Sequence, residues 1–493
     1  MKSIKLTKQI NTDFLVLGLA QNNGKLVIES GLTKFDEKKL LVVLANLGAT
    51  GNADEVVKVP HTNPQTIIFT GLGKSNKTYG HETLRRAAGA ASRALAGQKS
   101  ATFALPILNS QDLAAVAEGA ALGAYSFTEF RGSTLKDQKT PLGDSEILSK
   151  LDSIEAKNAI KRALVLAKNS FLIRDLINTP PSHLTPSSFA IRIKKIALTL
   201  GLKVEILDEK VLKSKGYGGI TGVGQGSSNP PRLLRISYKP AKARKHLALV
   251  GKGITFDTGG LALKPANGME AMKCDMGGAA AVIATVLAAA ELKLPIAIDA
   301  WAPLAENMVS DNAQRPSDII TIYGGKTVEV LNPDAEGRLV LADALVRAEE
   351  VGKASGGLDG IIDVATLTGA QVVALGTRTS AVMTNDLDFS GQFLSAAAKS
   401  GEQFWPMPLP EELRASLDSP VADIANIGDR MGGMLVAGLF LREFINPQTP
   451  WLHLDIAGPA YNEGEPHGYT PVGGTGVALA SLLCLLESVA SNK

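Results

Sequence analysis

Short apolar runs alternate along the chain with longer segments in which apolar residues recur at helical spacing. In the first part of the chain, the runs at 13–18, 66–71 and 101–105 predict buried strands, and the segments 81–97 and 110–124 predict helices. Strands that alternate with helices are typical of a mainly parallel sheet with helices packed against it. The amino-terminal part is therefore predicted to be a small α/β domain.

A polar stretch and a long helix separate this first part from the rest. Residues 132–148 are polar and contain Gly, Pro and Lys, which predicts an exposed loop or linker. A long amphipathic pattern follows at 155–178 and ends just before two prolines. We interpret residues 151–180 as a connecting helix between an amino-terminal α/β domain, 1–150, and a larger carboxyl-terminal domain, 181–493.

The larger domain repeats the alternation of strands and helices, so the fold class is α/β throughout. Its predicted strands are 203–207, 232–238, 246–251, 295–301, 360–366, 379–384 and 451–456. Its predicted helices are 187–200, 276–293, 338–351, 391–400, 431–444 and 475–490. This pattern predicts an α/β/α domain with a mixed central sheet. Ligands of open α/β sheets bind outside the carboxyl ends of the strands, so we expect the functional site there.

Net charge, cysteine count and the length of the apolar runs limit the classes of protein to which the chain could belong. The 493 residues include 51 basic and 48 acidic side chains, a net charge of +3, so the chain shows no global signature of a polyanion-binding protein. Only two cysteines occur, Cys274 and Cys484, which indicates a reducing compartment. The longest apolar runs fall short of the length that spans a bilayer, about 18 residues or more. We expect a soluble cytoplasmic protein without a membrane partner.

Two carboxylates and an arginine lie close together just ahead of a predicted helix. Asp334 and Glu336 follow Pro333 and precede Arg338. In an extended backbone, residues two positions apart point to the same face, so both carboxylates could meet one ligand. The alternative is that one of them caps the helix and complements its dipole.

A second group of charged residues follows the predicted strand at 246–251. Lys252, Asp257 and Lys264 lie in a glycine-rich segment, and Asp275 precedes an apolar helix. The alternatives are a helix cap for Asp275 and a solvated surface position for each lysine. Together, however, the four carboxylates at strand ends and helix starts of one sheet would repel one another unless counter-charge is present. Two divalent cations would balance them, which predicts a carboxylate-rich metal site.

These segments closely resemble the cytosolic leucyl aminopeptidase family, also called the PepA-type aminopeptidases. The similarity extends over essentially the whole larger domain, which the resemblance identifies as a catalytic metallopeptidase domain. The matching segments are Val250 to Gly260, Met272 to Met276, Asn332 to Leu339, Asn178 to Pro181, Val223 to Ser227, Ala365 to Ala370 and Leu454 to Gly458.

The resemblance implies two metal ions per subunit. It assigns one ion to Asp257, Asp334 and Glu336 with the Asp334 carbonyl, and the other to Lys252, Asp257, Asp275 and Glu336. A lysine can be a ligand only without its proton, so we expect the two cations to depress the pKa of Lys252. The implied catalytic pair is Lys264, near the scissile carbonyl, and Arg338, which in this family holds a bicarbonate ion.

The implied reaction is the release of an amino-terminal residue. A water that bridges two divalent ions can be acidified from about 15.7 towards about 7, and the resulting hydroxide would attack the first peptide bond. Lys264 would stabilise the oxyanion. By the same resemblance, the residues that bind the substrate's amine and apolar side chain are Met272, Thr366, Leu367, Gly369, Ala457 and Ala460. Ala460 replaces the methionine of some relatives, which leaves room for leucine and bulkier side chains, and Pro333 replaces the commoner threonine.

Metal, partners and competing functions remain open at this level. Zinc and manganese are the first candidates, and magnesium and cobalt also suit carboxylate ligands. The resemblance implies a homohexamer that acts on peptides with a free amino terminus. A dinuclear phosphoesterase is the alternative enzyme, because paired metals serve that chemistry equally well. Basic clusters at Lys239 to Lys245 and Arg85-Arg86 leave a secondary DNA-binding or regulatory role open, with a solvated surface as the alternative.

Overall fold

The computed structural model describes residues 3–31 and 37–491 of the chain. By internal packing it divides into two compact units. The first comprises 1–171 together with 462–472, and the second comprises 172–461 and 473–493. Helix-strand alternation produces both units, and the α/β prediction is confirmed.

The first unit is built on a seven-stranded sheet. Its elements are β1 (Ser3–Thr7), β2 (Phe14–Asn22), β3 (Lys25–Glu29), α1 (Glu37–Asn46), β4 (Val56–Pro60), β5 (Thr66–Lys74), α2 (His81–Ala94), β6 (Ser100–Phe103), α3 (Ser110–Gly123) and β7 (Asp144–Leu148). The strand order is β1-β7-β6-β2-β5-β4, and β3 pairs with β2. The first five strands of that order run parallel, and only β3 and β4 are antiparallel to their neighbours.

The predicted linker at 132–148 is wrong at its carboxyl-terminal end. Strand β7 lies there and joins the sheet between β1 and β6. Its sequence Asp-Ser-Glu-Ile-Leu is polar, but Ser145 and Ile147 alternate inward and are buried. An alternating pattern with only one large inward residue gives a weak strand signal.

The segment 462–472 comes late in the chain but packs within the first unit. The backbone N–H of Gly468 donates to Asp54 Oδ1 at 2.7 Å. The hydroxyl of Tyr469 donates to Glu82 at 3.2 Å, and a Cβ at Gly89 would lie 2.5 Å from the Tyr469 Cβ. The first unit is therefore completed by residues more than 300 positions away from its strands, and Asp54 and Gly468 are 414 residues apart.

The second unit contains most of the remaining elements, and α4 and β20 have residues in both units. They are α4 (Ile154–Asn178), which crosses the boundary, α5 (Pro186–Thr199), β8 (Lys203–Leu207), α6 (Glu209–Ser214), α7 (Gly218–Gly224), β9 (Arg232–Tyr238), β10 (His246–Gly251), β11 (Gly253–Asp257), α8 (Gly277–Leu292), β12 (Ala297–Asn307), β13 (Asp318–Thr321), β14 (Thr327–Val330), α9 (Gly337–Ala354), β15 (Gly360–Ala365), α10 (Gly369–Leu375), β16 (Thr379–Thr384), α11 (Leu387–Ser400), β17 (Gln403–Pro406), β18 (Ile424–Ala425), α12 (Gly433–Arg442), β19 (Trp451–Asp455), β20 (Tyr461–Asn462), β21 (Gly473–Gly474) and α13 (Leu479–Ser491). The predicted strands at 203–207, 232–238, 246–251 and 379–384 have the same bounds in the structure.

A nine-stranded mixed sheet forms the centre of this unit, as predicted. The strand order is β17-β16-β19-β15-β10-β12-β9-β8, and β11 pairs with β12. Strands β19, β15, β10 and β12 run parallel to one another, whereas β9 is antiparallel to β12 and β16 is antiparallel to β19. Strand β12 is buried along its whole length. Such burial on both faces is typical of a sheet covered by helices on each side.

Helices cover the central strands. Alternate residues of β10 and β15, including Ala248, Val250 and Ile361, pack with apolar residues of α9 and α12 in one core cluster. Helix α8 also packs against β10, β12 and β15. The stretch Met269–Leu292, which includes α8, is the one part of the described chain long and apolar enough to cross a membrane, but 83% of its most apolar window is buried inside the protein.

Candidate metal centre

The predicted site residues follow the carboxyl ends of the central parallel strands. Lys252 comes directly after β10, Asp257 ends β11 and Thr366 comes directly after β15. The Lys252 N–H donates to the Val364 carbonyl at 2.9 Å, and the Lys252 carbonyl accepts from the Ala279 N–H at 2.8 Å. Because these strands run in the same direction, their ends meet at one edge of the sheet.

Three carboxylates converge at this edge. One ligand oxygen from each of Asp257, Asp334 and Glu336 lies within 4.8 Å of the other two. Glu336 is the N-cap residue of α9, but its side chain makes no capping hydrogen bond. The capping alternative is therefore wrong for Glu336.

The backbone around Asp334 forms a turn and not the extended segment that the spacing of Asp334 and Glu336 suggested. The Ala335 N–H donates to the Asn332 carbonyl at 3.0 Å, and the Asp334 N–H donates to Asn332 Oδ1 at 2.8 Å. An asparagine side chain that accepts from the backbone two residues later stabilises this kind of turn. This turn, just before α9, brings the Asp334 and Glu336 carboxylates together.

Lys252 joins a fourth carboxylate to the cluster. Its Nζ lies 2.7 Å from Asp275 Oδ1 and 2.8 Å from Glu336 Oε1, and it donates to the Thr366 carbonyl at 2.9 Å. Asp275 precedes Met276, the N-cap residue of α8, so its own capping alternative is wrong. A Cβ at Gly337 would lie 2.5 Å from Lys252 Cε, so the lysine side chain passes directly over this glycine.

Lys252 is buried and Lys264 is half-buried, and both pair with carboxylates, so the solvated-surface alternative is wrong for them. Lys252 is 3% exposed. The Lys264 side chain is 22% exposed, and its Nζ lies 2.9 Å from Asp257 Oδ2 and also contacts Asp334. Four carboxylates therefore face two ammonium groups, and two negative charges remain uncompensated within this set.

The electrostatics fit a site built for cations. Burial raises the pKa of Asp275, Asp334 and Glu336, and nearby carboxylates add to that rise. Burial alone would lower the pKa of Lys252, but Asp275, Glu336 and Asp257 together raise it. Among the described residues, Asp275 Oδ2 is buried with no hydrogen-bond partner. Crowded carboxylates with an unpaired buried oxygen are the donor set that divalent cations prefer.

Arg338 lies on the first turn of α9 and is buried. Burial lowers its pKa to about 10, so it stays cationic at neutral pH. Its Nη1 donates to the Asn426 carbonyl at 2.8 Å, whereas its Nε is buried and has no partner within the described chain.

Two asparagines at the site carried no sequence motif and were not predicted. Asn426 accepts from the Leu331 N–H at 2.8 Å and the Asn332 N–H at 3.2 Å, and donates to the Asn332 carbonyl at 2.7 Å. It therefore extends the pairing of β14 with β18 and holds the start of the Asp334 turn. Asn307 contacts both carboxylate loops, through Asp257 and the Pro333 carbonyl.

The loops after β15 and β19 are joined by a buried aspartate. Asp455 Oδ1 accepts from the backbone N–H of Leu367 at 3.1 Å and of Ala457 at 3.2 Å, and its Oδ2 accepts from Thr368 Oγ1 at 2.7 Å. Two of the predicted substrate-binding residues are thus held side by side.

The other predicted substrate-binding residues lie around the start of α8 and α10. Thr366 Oγ1 donates to Asp275 Oδ1 at 2.8 Å. A Cβ at Gly277 would lie 3.6 Å from Ala460 Cβ and 3.7 Å from Thr366 Cγ2, so these two residues are close together. Met272 is half-buried in the 3-10 helix just before Asp275, and Gly369 opens onto free space.

The basic clusters singled out in the sequence are paired with acids. Arg85 is only 5% exposed, so the solvated-surface alternative is wrong for that residue. The ion pairs are Arg85 with Glu118 (2.8 Å), Arg86 with Asp54, Lys239 with Asp299 (3.3 Å) and Lys245 with Asp359 (2.8 Å). Much of the positive charge in both clusters is therefore balanced internally.

Comparison with known proteins gives consistent matches over the whole chain. Residues 171–483 match the cytosol aminopeptidase family, catalytic domain, and residues 16–134 match the cytosol aminopeptidase family, N-terminal domain. A protein of Streptomyces avermitilis named "Probable cytosol aminopeptidase" is 50% identical and is aligned over 98% of this chain and 97% of its own length. One of Nocardia farcinica with the same name is 49% identical, over 98% and 96%.

A solved structure shares the fold at high similarity. The bottromycin maturation enzyme BotP in complex with Mn superposes with a TM-score of 0.86 and 36% sequence identity, covering 97% of this chain and all of its own.

Proposed function

This chain belongs to the cytosol aminopeptidase family and is an aminopeptidase, and on that basis we propose that it releases leucine and other apolar residues from the amino terminus of peptides with two divalent ions at the carboxylate cluster. The observation that supports this most is the convergence of Asp257, Asp334 and Glu336 within 4.8 Å, with Lys252 and Asp275 adjoining. The same cluster alone would also suit a phosphoesterase, but the family assignment favours peptide substrates.

The ligand sets follow the grouping of the side chains. Asp257, Asp334 and Glu336 would hold one ion, and Lys252, Asp257, Asp275 and Glu336 the other. When bound, two such ions acidify a water and polarise the scissile carbonyl. Manganese is our first choice, because carboxylate ligands suit it and the similar BotP structure is a complex with Mn. Zinc, magnesium and cobalt are the alternatives.

Two cationic side chains would act on the substrate and its protons. Burial opposes the charge on Lys264, but Asp257, Glu336 and Asp334 raise its pKa, so it stays protonated at neutral pH. From the edge of the cluster, it would donate to the carbonyl oxygen as negative charge develops there. Arg338 would hold a small oxyanion such as bicarbonate, a role that its buried and unpartnered Nε supports.

The first residue of the peptide would be oriented by the loops after β15 and β19. The Leu367 carbonyl would accept from the substrate's amine. Met272, Thr366, Gly369, Ala457 and Ala460 would line the side-chain pocket, and the small Ala460 would leave room for leucine and larger apolar groups.

We extend the proposal to the setting of the enzyme. Relatives named as cytosol aminopeptidases and the presence of only two cysteines support a cytoplasmic location. The homohexamer stays a prediction. The internal pairing of the basic clusters gives no support to DNA binding, and a gel-shift assay at low salt tests that point directly.

Hydrolysis of leucine p-nitroanilide tests the proposed function. We expect activity that disappears after chelation, returns with Mn²⁺ or Zn²⁺ and is absent in Asp334→Ala. Asp388→Ala, at an exposed position of α11, is the matched control. A folded, metal-loaded enzyme that removes no amino-terminal residue from a mixed peptide panel would overturn the proposal.

A further inference from the structure

We propose that Asn307 is a positioning residue that ties together the two metal-binding loops and decides which oxygen of Asp257 faces the ions. This inference rests on the proposed function, because it concerns the same carboxylate cluster. Nothing in the sequence motifs marks Asn307.

The position of Asn307 comes from an irregular strand pairing. It is the last residue of β12 and is 2% exposed. In the parallel pair of β11 with β12, the register shifts between Ile254 and Asp257, and this shift places Asp257 opposite Asn307. The Asn307 carbonyl accepts from the Thr258 N–H at 3.0 Å and from Thr258 Oγ1 at 2.9 Å. These two bonds hold the backbone of Asn307 in place independently of its side chain.

The amide of Asn307 reaches both carboxylate loops. Its Nδ2 donates to Asp257 Oδ1 at 2.8 Å and to the Pro333 carbonyl at 3.1 Å. A side-chain amide has two N–H donors, so both are used. One loop ends in Asp257, and the other continues from Pro333 into Asp334 and Glu336. A single NH₂ group thus sets the separation of the two loops that supply the proposed ligands.

This contact also gives the two carboxylate oxygens of Asp257 different partners. Oδ1 accepts from Asn307 and from the Gly259 N–H, each at 2.8 Å. Oδ2 faces Lys264 Nζ at 2.9 Å, on the side of the cluster. With Oδ1 engaged by two donors, the carboxylate cannot rotate without losing both bonds. Hydrogen bonds of this kind orient metal-binding carboxylates and tune their affinity.

The space around the amide is filled by its neighbours. Gly260 has φ +59°, and a Cβ there would lie 2.9 Å from Asn307 Oδ1 and 3.2 Å from Pro333 Cβ. A side chain at position 260 would therefore crowd the Asn307 amide, whereas glycine leaves it in place. Pro333, where the family commonly has threonine, loses nothing here, because Asn307 bonds its carbonyl and not an N–H.

Titration of the full chain with Mn²⁺ tests the inference. Chelator-treated wild type, Asn307→Ala and Asn307→Ser are compared by calorimetry and by the electron paramagnetic resonance signal of free Mn²⁺. Loss of such a contact typically weakens metal affinity about 10- to 100-fold, and we expect this for both variants. Asn385→Ala is the control, because Asn385 also joins two segments by hydrogen bonds, to Thr449 and Trp451, but contacts none of the ligands.

The outcomes separate this inference from the proposed function. Wild-type Mn²⁺ affinity in either folded variant would overturn the role of Asn307 while leaving the proposed function intact. A wild type that binds none of Mn²⁺, Zn²⁺, Mg²⁺ and Co²⁺ in the same titration would overturn both. If Asn307→Ala does not fold, Asn307→Ser, which retains a smaller polar group, decides the question by the same titration.

Discussion

Replacing Gly337 with alanine should disable the site without harming the fold. Gly337 begins α9, and the new Cβ would lie 2.5 Å from Cε, 2.8 Å from Cδ and 2.8 Å from Nζ of Lys252. Ordinary carbon contacts are about 3.5–4.0 Å, so the lysine must move by about 1 Å. It cannot do so freely, because its Nζ is held by Asp275, Glu336 and the Thr366 carbonyl.

We expect Gly337→Ala to cause a large loss of catalytic activity, although it adds only one methyl group. A misplacement of about 1 Å at a catalytic site can cost about 10²-fold, which corresponds to about 2.7 kcal/mol in activation free energy. Alanine is favoured over glycine in helices by about 0.8–1.0 kcal/mol, which offsets part of the strain in the folded state. We therefore expect kcat/KM on leucine p-nitroanilide to fall about 100-fold, while the melting temperature changes little.

A second glycine provides the control for this substitution. Gly433 begins α12, and a Cβ there meets Ala370 Cβ at 3.8 Å, an ordinary contact. Gly433→Ala should keep wild-type activity. If Gly337→Ala also kept a kcat/KM close to that of the wild type, the position of Lys252 would not matter for catalysis, and our account of this ligand would be refuted.

Three further changes test other parts of the molecule. Glu118→Gln leaves the buried Arg85, 2.8 Å away, with less counter-charge, so the free energy of unfolding in urea should fall by about 3–5 kcal/mol. Burial opposes the charge on His453, but Asp363 at 2.5 Å raises the pKa of His453. The stabilisation from the charged imidazole is present below about pH 6.5 and is lost as pH rises through the raised pKa. His453→Gln should therefore lower the free energy of unfolding more at about pH 6 than at about pH 9. Ala460→Met should fill the proposed pocket and lower kcat/KM for phenylalanine p-nitroanilide more than for alanine p-nitroanilide; equal losses would contradict the pocket assignment.

Most of the central sheet could be predicted because its strands are short apolar runs bounded by polar residues. Strand β10, at His246–Gly251, has the same bounds in the prediction and the structure. Strand β12 was predicted to end at 301 but continues to Asn307. Pro303 interrupts the pattern there, and proline is rare in central strands. The prediction therefore stopped before the residue that reaches the carboxylates.

The charged site residues could be singled out in the sequence because four carboxylates at the strand ends and helix starts of one sheet repel one another unless counter-charge is present. Asn307 and Asn426 could not be found in this way. An amide shows its function only through the backbone groups that it bonds, and those groups come from segments far apart in sequence: Asn426 and Asn332 are 94 residues apart. The turn at Asp334 was missed for a related reason, because it is stabilised by a bond from the Asp334 N–H to the Asn332 side chain.

The late segment 462–472 has a consequence for how the protein is made. Asp54 emerges from the ribosome long before Gly468, to which it bonds across 414 residues. At about 5–20 residues per second, that interval is on the order of 20–80 s. Until then, the amino-terminal part of the chain lacks the segment that contacts Glu82 and Gly89. A nascent chain arrested before residue 462 would expose this surface to chaperones, and synthesis of the segment 462–472 covers it.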